Sequence, residues 1–166
     1  MRYAIEDFAV KIRDIVMADG GPAGREKVRL LLEAVLKDGT FIAAYLSDDQ
    51  PERRVLYEDP DLGFLIFGYV YHDAKRSEPH DHGPTWAIYG QAAGTTHMIE
   101  WTIVEPARQA RPGKVRPAHR YDLSPGDART YHEGVLHSPW SDGAGKLVQI
   151  QGHPIDRATR LSYEPT

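Results

Sequence analysis

Two spacings of apolar residues divide the chain. Ile5, Phe8, Ala9, Ile12, Ile15 and Val16 recur at three- and four-residue intervals, with Glu6, Lys11, Arg13 and Asp14 between them. This is the stripe of an amphipathic helix over residues 3–18. Gly20-Gly21-Pro22 interrupts it, and Val28, Leu31, Leu32, Val35 and Leu36 then mark a second helix that closes near Gly39. Neither helix carries recognisable chemistry. An apolar stripe serves first as core, so these helices are expected to cap the rest of the fold, with a partner interface the lesser reading.

From Phe41 the period shortens. Phe41 to Leu46, Arg54 to Tyr57 and Phe64 to His72 are rich in β-branched and aromatic residues and are bounded by Asp, Pro and Gly clusters, which predicts strands. Phe64-Leu65-Ile66-Phe67-Gly68-Tyr69-Val70-Tyr71 is apolar on both faces, so it must be covered on both sides. Further strands are expected at 85–90, 95–104, 119–123, 127–132 and 146–151. Many short antiparallel strands after two helices predict a mainly β protein, a jelly roll or small barrel. Pro106 to Pro117, with Arg108, Arg111, Lys114 and Arg116, reads as a solvated hairpin loop in preference to an anion-binding lid.

Composition narrows the chemistry. With 166 residues, 41% of them hydrophobic, one domain can bury about 70% of its unfolded surface. The absence of cysteine excludes disulfides, thiolate ligands and cysteine nucleophiles. A net charge of −4 without a sustained basic run argues against nucleic acid or an anionic membrane as partner. No apolar run approaches a membrane span and the N-terminus lacks a signal-peptide core, so a cytoplasmic protein is expected; a homodimer is possible.

The candidate chemistry lies in two stretches. In Glu78-Pro79-His80-Asp81-His82-Gly83-Pro84-Thr85-Trp86 an extended backbone would turn His80 and His82 to one face and Asp81 to the other. In Gly126-Asp127-Ala128-Arg129-Thr130-Tyr131-His132-Glu133-Gly134-Val135-Leu136-His137 a strand opens after a Pro125-Gly126 turn, breaks at Gly134, and a histidine comes three residues later. Together these stretches resemble the paired motifs of the cupin superfamily, in which an H-x-H pair and a later histidine bind metal. Gly126, Gly134 and His137 fall on the family's spacing, with His132 where a proline is usual. The resemblance implies a double-stranded β-helix, the cupin jelly-roll barrel, over residues 1–166 as one domain, with 1–39 helical and 40–153 the barrel. It also implies His80, His82 and His137 as metal ligands.

The family's glutamate ligand is missing, since Trp86 and Ala87 stand at its positions. Three histidines without the carboxylate resemble the thiol dioxygenases, the cysteine and 3-mercaptopropionate enzymes, and the likeness extends roughly over residues 55–153. It implies ferrous iron; imidazole donors alone leave nickel, zinc, manganese and copper open. In those enzymes one strand carries a Ser-x-His-x-Tyr relay, and Leu147, Gln149 and Gln151 occupy the corresponding places. Neither glutamine titrates near neutrality, so the relay is absent and thiol oxidation in particular is in question.

Other residues extend the candidate pocket. If Gln91-Ala92-Ala93-Gly94 closes a hairpin, Ile88 stands opposite His97 and Trp86 opposite Ile99. Trp86 then shares parity with His82, and His97 faces either the metal or, after one bulge, the solvent. Trp86 packs core or walls the pocket. Gln149 and Gln151 share one strand face, in the pocket or solvated. Arg53, Arg54, Arg76, Arg120 and Arg129 are candidates for a substrate carboxylate. His72, His119, His132 and His153 have no spacing argument, although His132 lies on the strand leading to His137. The expected function is a metal-dependent enzyme, a dioxygenase acting on a small molecule with dioxygen. The alternatives are a non-redox hydrolase, lyase or isomerase, or a metal- or ligand-binding module without catalysis.

Overall fold

In the computed structural model, which describes residues 3–155 and 160–166, three helices precede ten strands. The first two helices match the apolar stripes: α1 is Ile5–Ala18 and α2 is Pro22–Val35, with Pro22 at the position where a missing N–H costs nothing. A third helix, α3 (Gly39–Tyr45), replaces the strand expected from Phe41 to Leu46. Asp38 decides the outcome. Its Oδ1 accepts from the Thr40 hydroxyl at 2.7 Å and the Thr40 amide at 3.0 Å, and its Oδ2 from the Tyr3 amide at 2.9 Å. These bonds, the Thr40 hydroxyl foremost, hold the Asp38 carboxyl down to about 2. A charged N-cap thus outweighs the β-propensity of Phe41, Ile42 and Tyr45.

The strands begin with β1 at Arg53–Glu58, not at residue 40, and continue as β2 (Leu65–Tyr71), β3 (Lys75–Arg76), β4 (Ala87–Ala93) and β5 (Thr96–Glu105). After them come β6 (Gly113–Leu123), β7 (Ala128–Tyr131), β8 (His137–Ser141), β9 (Gly145–Gln151) and β10 (Tyr163–Pro165). They form two five-stranded sheets, ordered β1-β2-β9-β4-β7 and β10-β6-β5-β8-β3. The fold is mainly β, a double-stranded β-helix of the jelly-roll type with helices on one side.

The expected hairpin between β4 and β5 does not form. β4 pairs with β7 and β9, whereas β5 pairs with β6 and β8, so the chain changes sheets at the turn. Gly94 makes this possible: its φ is +69°, and a Cβ there would meet the Ala144 carbonyl oxygen at 2.4 Å. Ile88 accordingly pairs with Thr130 and Ile150, and Ile99 with Arg120 and Ser138.

β2 is covered on both faces, as its composition requires. Ile66 and Val70, with Ile88, Val148 and Ile150 from neighbouring strands, pack against Phe8, Ile12, Val28, Leu32 and Val35 of the helices. The alternate residues Leu65, Phe67, Tyr69 and Tyr71 line a cavity between the sheets. Arg13 ties α1 to the β1–β2 turn at 2.7 Å from Asp59 and 2.6 Å from Asp61. Burial opposes ionisation of Asp59, yet the Leu62 and Asp61 amides and the Arg13 charge hold its carboxyl below the usual range.

The helix–sheet contact is close enough to constrain single positions. A Cβ on Gly90 would approach Leu32 at 2.7 Å and Leu36 at 2.8 Å, whereas one on Gly143 meets open space. Gly90→Val is expected to destabilise the protein by about 1–3 kcal/mol in urea unfolding. Gly143→Ala should stay within about 0.5 kcal/mol. Equal unfolding midpoints for the two variants would contradict this packing.

Candidate metal centre

His80 and His137 are joined through their backbones. The His80 amide donates to the His137 carbonyl at 3.0 Å and the His137 amide to the His80 carbonyl at 2.9 Å, an isolated antiparallel bridge. Residues opposed in such a bridge project to the same side, and His82, two residues on, joins them. One ring nitrogen from each of the three lies within 4.8 Å of the others. The ring centroids of His80 and His82 stand 4.6 and 5.1 Å from that of His137. No Asp or Glu belongs to this group among the described residues.

The far nitrogens fix the rings. His80 Nδ1 lies 2.8 Å from the Glu78 carbonyl and His137 Nδ1 lies 3.1 Å from the Val135 carbonyl. A carbonyl can only accept, so each Nδ1 carries the proton and each Nε2 keeps its lone pair for the centre. His82 Nε2 stands 3.2 Å from His137 Nε2. His137 is wholly buried, and burial, then the neighbouring His80 and His82, pushes it well below the ordinary imidazole value. It is therefore a neutral donor at physiological pH. The three imidazoles can hold a metal ion, for which nitrogen donors of this kind are suited.

Two nominated pocket residues lie elsewhere. Trp86 shares parity with His82 only along an unbroken strand, and the turn at Gly83 (φ +61°) and Pro84 resets it. Trp86 instead packs in the core beneath the helices, with the Arg25 guanidinium 5.6 Å from its ring centroid. His97 faces out of the second sheet, between Thr96 and Met98, which face the cavity. Its Nδ1 is 2.6 Å from Asp122, its Nε2 is 3.4 Å from Asp142, and its ring lies 4.1 Å from that of Trp140.

Gln149 and Gln151 are buried on the cavity wall, not solvated. They lie within a directed chain of hydrogen bonds. Arg53 Nε donates to the Tyr69 hydroxyl at 3.1 Å, which donates to Gln149 Oε1 at 2.9 Å. Gln149 Nε2 then donates to Gln151 Oε1 at 3.3 Å, and Gln151 Nε2 to the His153 carbonyl at 2.8 Å. Of the nominated arginines only Arg53 lines the cavity, whose volume is about 1000 Å³. Arg129 stacks on Tyr121 and pairs with Glu100. His132 meets Arg25 of α2 at 3.2 Å, outside the cavity.

Two cavity residues had no sequence signal behind them. Tyr89, whose hydroxyl is 3.2 Å from His82 Nε2, faces the cavity because β4 restarts its alternation after the Gly83-Pro84 turn. Arg160 reaches the cavity from beyond the last central strand. Behind the centre the Tyr131 ring stacks on His137 at 4.2 Å, and its hydroxyl meets that of Tyr121 at 2.6 Å.

The sequence matches no family model and no curated protein. Solved structures share its fold. A protein from Bacillus halodurans is 13% identical with a TM-score of 0.53, over 75% of this chain and 86% of its own. KdgF from a Halomonas species is 16% identical with a TM-score of 0.48, over 68% and 88%. A cupin-2 domain protein from Shewanella frigidimarina is 16% identical with a TM-score of 0.45, over 70% and 95%. At such identities the likeness is one of fold. The chain carries this jelly-roll fold together with a three-histidine group able to hold a metal ion. No helix among the described residues is long and apolar enough to cross a membrane.

The placement of His97 predicts a pH signature. Hydrogen bonding to Asp122, then the charges of Asp122 and Asp142, raises its pKa above the ordinary value of 6.5. A raised folded pKa contributes stability in full below pH 6.5 and loses it as pH climbs through the folded value. His97→Gln should therefore lower the melting temperature more at pH 6 than at pH 9, while metal content stays at the wild-type level. A gap independent of pH, or loss of metal, would overturn the outward placement.

Proposed function

We propose that this chain is a metal-dependent oxygenase of small organic molecules, with His80, His82 and His137 holding ferrous iron and dioxygen as co-substrate, as in the thiol dioxygenases it resembles. The observation that carries this reading is the convergence of three imidazoles, with no carboxylate in their group among the described residues, beside a cavity of about 1000 Å³ that His80 and His82 line. Ferrous iron held on one face supplies open coordination positions and the one-electron chemistry that dioxygen requires. A dioxygenase reaction of this class would place both oxygen atoms in the product and so need no external reductant.

The chain's own residues do the rest. Phe67, Tyr69 and Tyr71 of β2 give the substrate an aromatic wall, and Arg53 at its edge can fix a carboxylate. Gln149 is held by Tyr69 and Gln151, so it positions a polar group without exchanging protons. The Tyr89 phenol, 3.2 Å from His82 Nε2, can donate to an oxygen or nitrogen of the substrate. With leucine and two glutamines where thiol dioxygenases carry their relay, the substrate need not be a thiol. The same phenol beside a Lewis acid also suits a hydrolase, lyase or isomerase, which is the second reading.

The test is elemental analysis of protein purified without added metal, followed by oxygen uptake after iron loading, with cysteine, 3-mercaptopropionate, cysteamine and a panel of small non-thiol carboxylates. About one iron per chain is expected, with substrate-dependent oxygen consumption. His137→Ala should bind metal more than about 100-fold more weakly, beyond the 10–100-fold typical of losing an outer partner. Bound metal with turnover but no oxygen consumption would favour the non-redox reading. Absence of metal even after reconstitution would remove the three-histidine assignment.

A further inference from the structure

The hairpin joining β5 to β6 ends in an arrangement that works against its own stability. Arg108 and Arg111 exchange both backbone hydrogen bonds, each 3.0 Å long, so they are directly opposed and their side chains project to one side. Like charges directly opposed across two strands are destabilising. The tip is also strained. Ala110 has φ +70° and is the one non-glycine residue with positive φ among the described residues, at a place where glycine would carry no such penalty. Backbone strain of this kind persists where the surroundings over-determine it, and it clusters at ligand clamps.

A third arginine lines the same cleft as this pair. Arg108, Arg111 and Arg160 line a cleft of about 590 Å³, together with Gln109 and Ser162. Arg111 has an exposed partner in Glu105 at 3.3 Å, but among the described residues no carboxylate pairs with Arg108 or Arg160. Nearby Lys114 is already committed to Glu164 at 2.7 Å. In a chain of net charge −4, three converging arginines stand out as a local reversal of sign. Arg160, Leu161 and Ser162 line both this cleft and the metal cavity.

From this geometry we infer that Arg108, Arg111 and Arg160 form a subsite for a phosphate-type dianion, the charged tail of a substrate whose other end enters the cavity. Guanidinium forks match the tetrahedral oxygens of phosphate, and a dianion between them would relieve the repulsion that the hairpin tip carries. The anion site stands on its own geometry. Its connection to a substrate rests on the proposed metal centre.

The test is calorimetric titration of the full-length protein with inorganic phosphate and pyrophosphate at low salt. It compares the wild type with Arg108→Gln/Arg111→Gln, Arg160→Gln and His137→Ala, each checked for fold by circular dichroism. Saturable binding is expected, tighter for pyrophosphate, weakened by added salt and by about tenfold or more in the arginine variants. It should persist in His137→Ala, so failure of the metal centre alone leaves this result unchanged. Absence of saturable binding, or binding unaffected by the arginine changes, would overturn the anion site. Binding lost in His137→Ala yet kept in the arginine variants would place the anion on the histidines instead. With Mn(II) added to the wild type, bound phosphate should show faster phosphorus-31 relaxation that His137→Ala abolishes. Without that acceleration the cleft does not serve the cavity's substrate.

Discussion

The reciprocal backbone hydrogen bonds between His80 and His137 are the constraint on which the candidate site depends. The segment from Ser77 to Trp86 contains Pro79 and Pro84, neither of which has an N–H to offer a ladder. It cannot become a regular strand, and beyond the short β3–β8 pairing its alignment with β8 rests on the His80 bridge and the Ser77 amide on the Pro139 carbonyl at 3.0 Å. Shifting that alignment by one residue would turn His137 away from His80. Because β8 continues into pairing with β5, through Glu100 opposite His137, the bridge also sets the loop against the rest of the second sheet. Behind it, Tyr131 seats the His137 ring, and its own hydroxyl finds Tyr121, which donates to Glu100 at 2.8 Å. The His137 ring is thus held from both sides, by a backbone bridge and by a buried aromatic whose polar end is satisfied.

The first sheet separates two duties by strand alternation. On one face, aliphatic residues of β2, β4 and β9 meet the helices, and burying each costs no polar partner. On the other, the same strands present tyrosines and glutamines to the cavity, with Arg53 of β1 beside them. Two buried glutamines would be costly unpaired, on the order of 1–3 kcal/mol for each orphaned group. The run of bonds from Arg53 to the His153 carbonyl offsets that cost, because every link has a donor facing an acceptor. An interior polar wall with fixed orientation results, and it can select a ligand without rearranging.

The features legible in the sequence are local ones. The helical stripes and the two-faced strand around Ile66 are patterns of neighbouring residues, so they survive folding. The histidine spacing is read the same way, because a bridge needs only His80 and His137 in register. Parity over longer stretches is not legible. The turn at Gly83-Pro84 shifts alternation, which sends Trp86 to the core and Tyr89 to the cavity. His97 departs from expectation for a related reason: Gln91 to Gly94 looks like a hairpin, yet steric demand at Gly94 carries the chain into the other sheet. Asp38 shows a third kind of failure, where one hydrogen-bonded side chain outweighs the propensity of the residues after it. Arg160 lies beyond any motif, and only the closing of the cavity brings it near.

The charge balance of the site constrains its ligands. Three imidazoles contribute no negative charge, and no carboxylate joins them among the described residues. A divalent ion placed there would share the cavity with Arg53, Lys75 and Arg160 and with the carboxylates of Glu78 and Glu164. An uncompensated charge in low dielectric is costly, and the sites that tolerate it are those whose ligand supplies the counter-charge. On the proposed reading, part of the counter-charge would come from the molecule that binds, which favours anionic ligands.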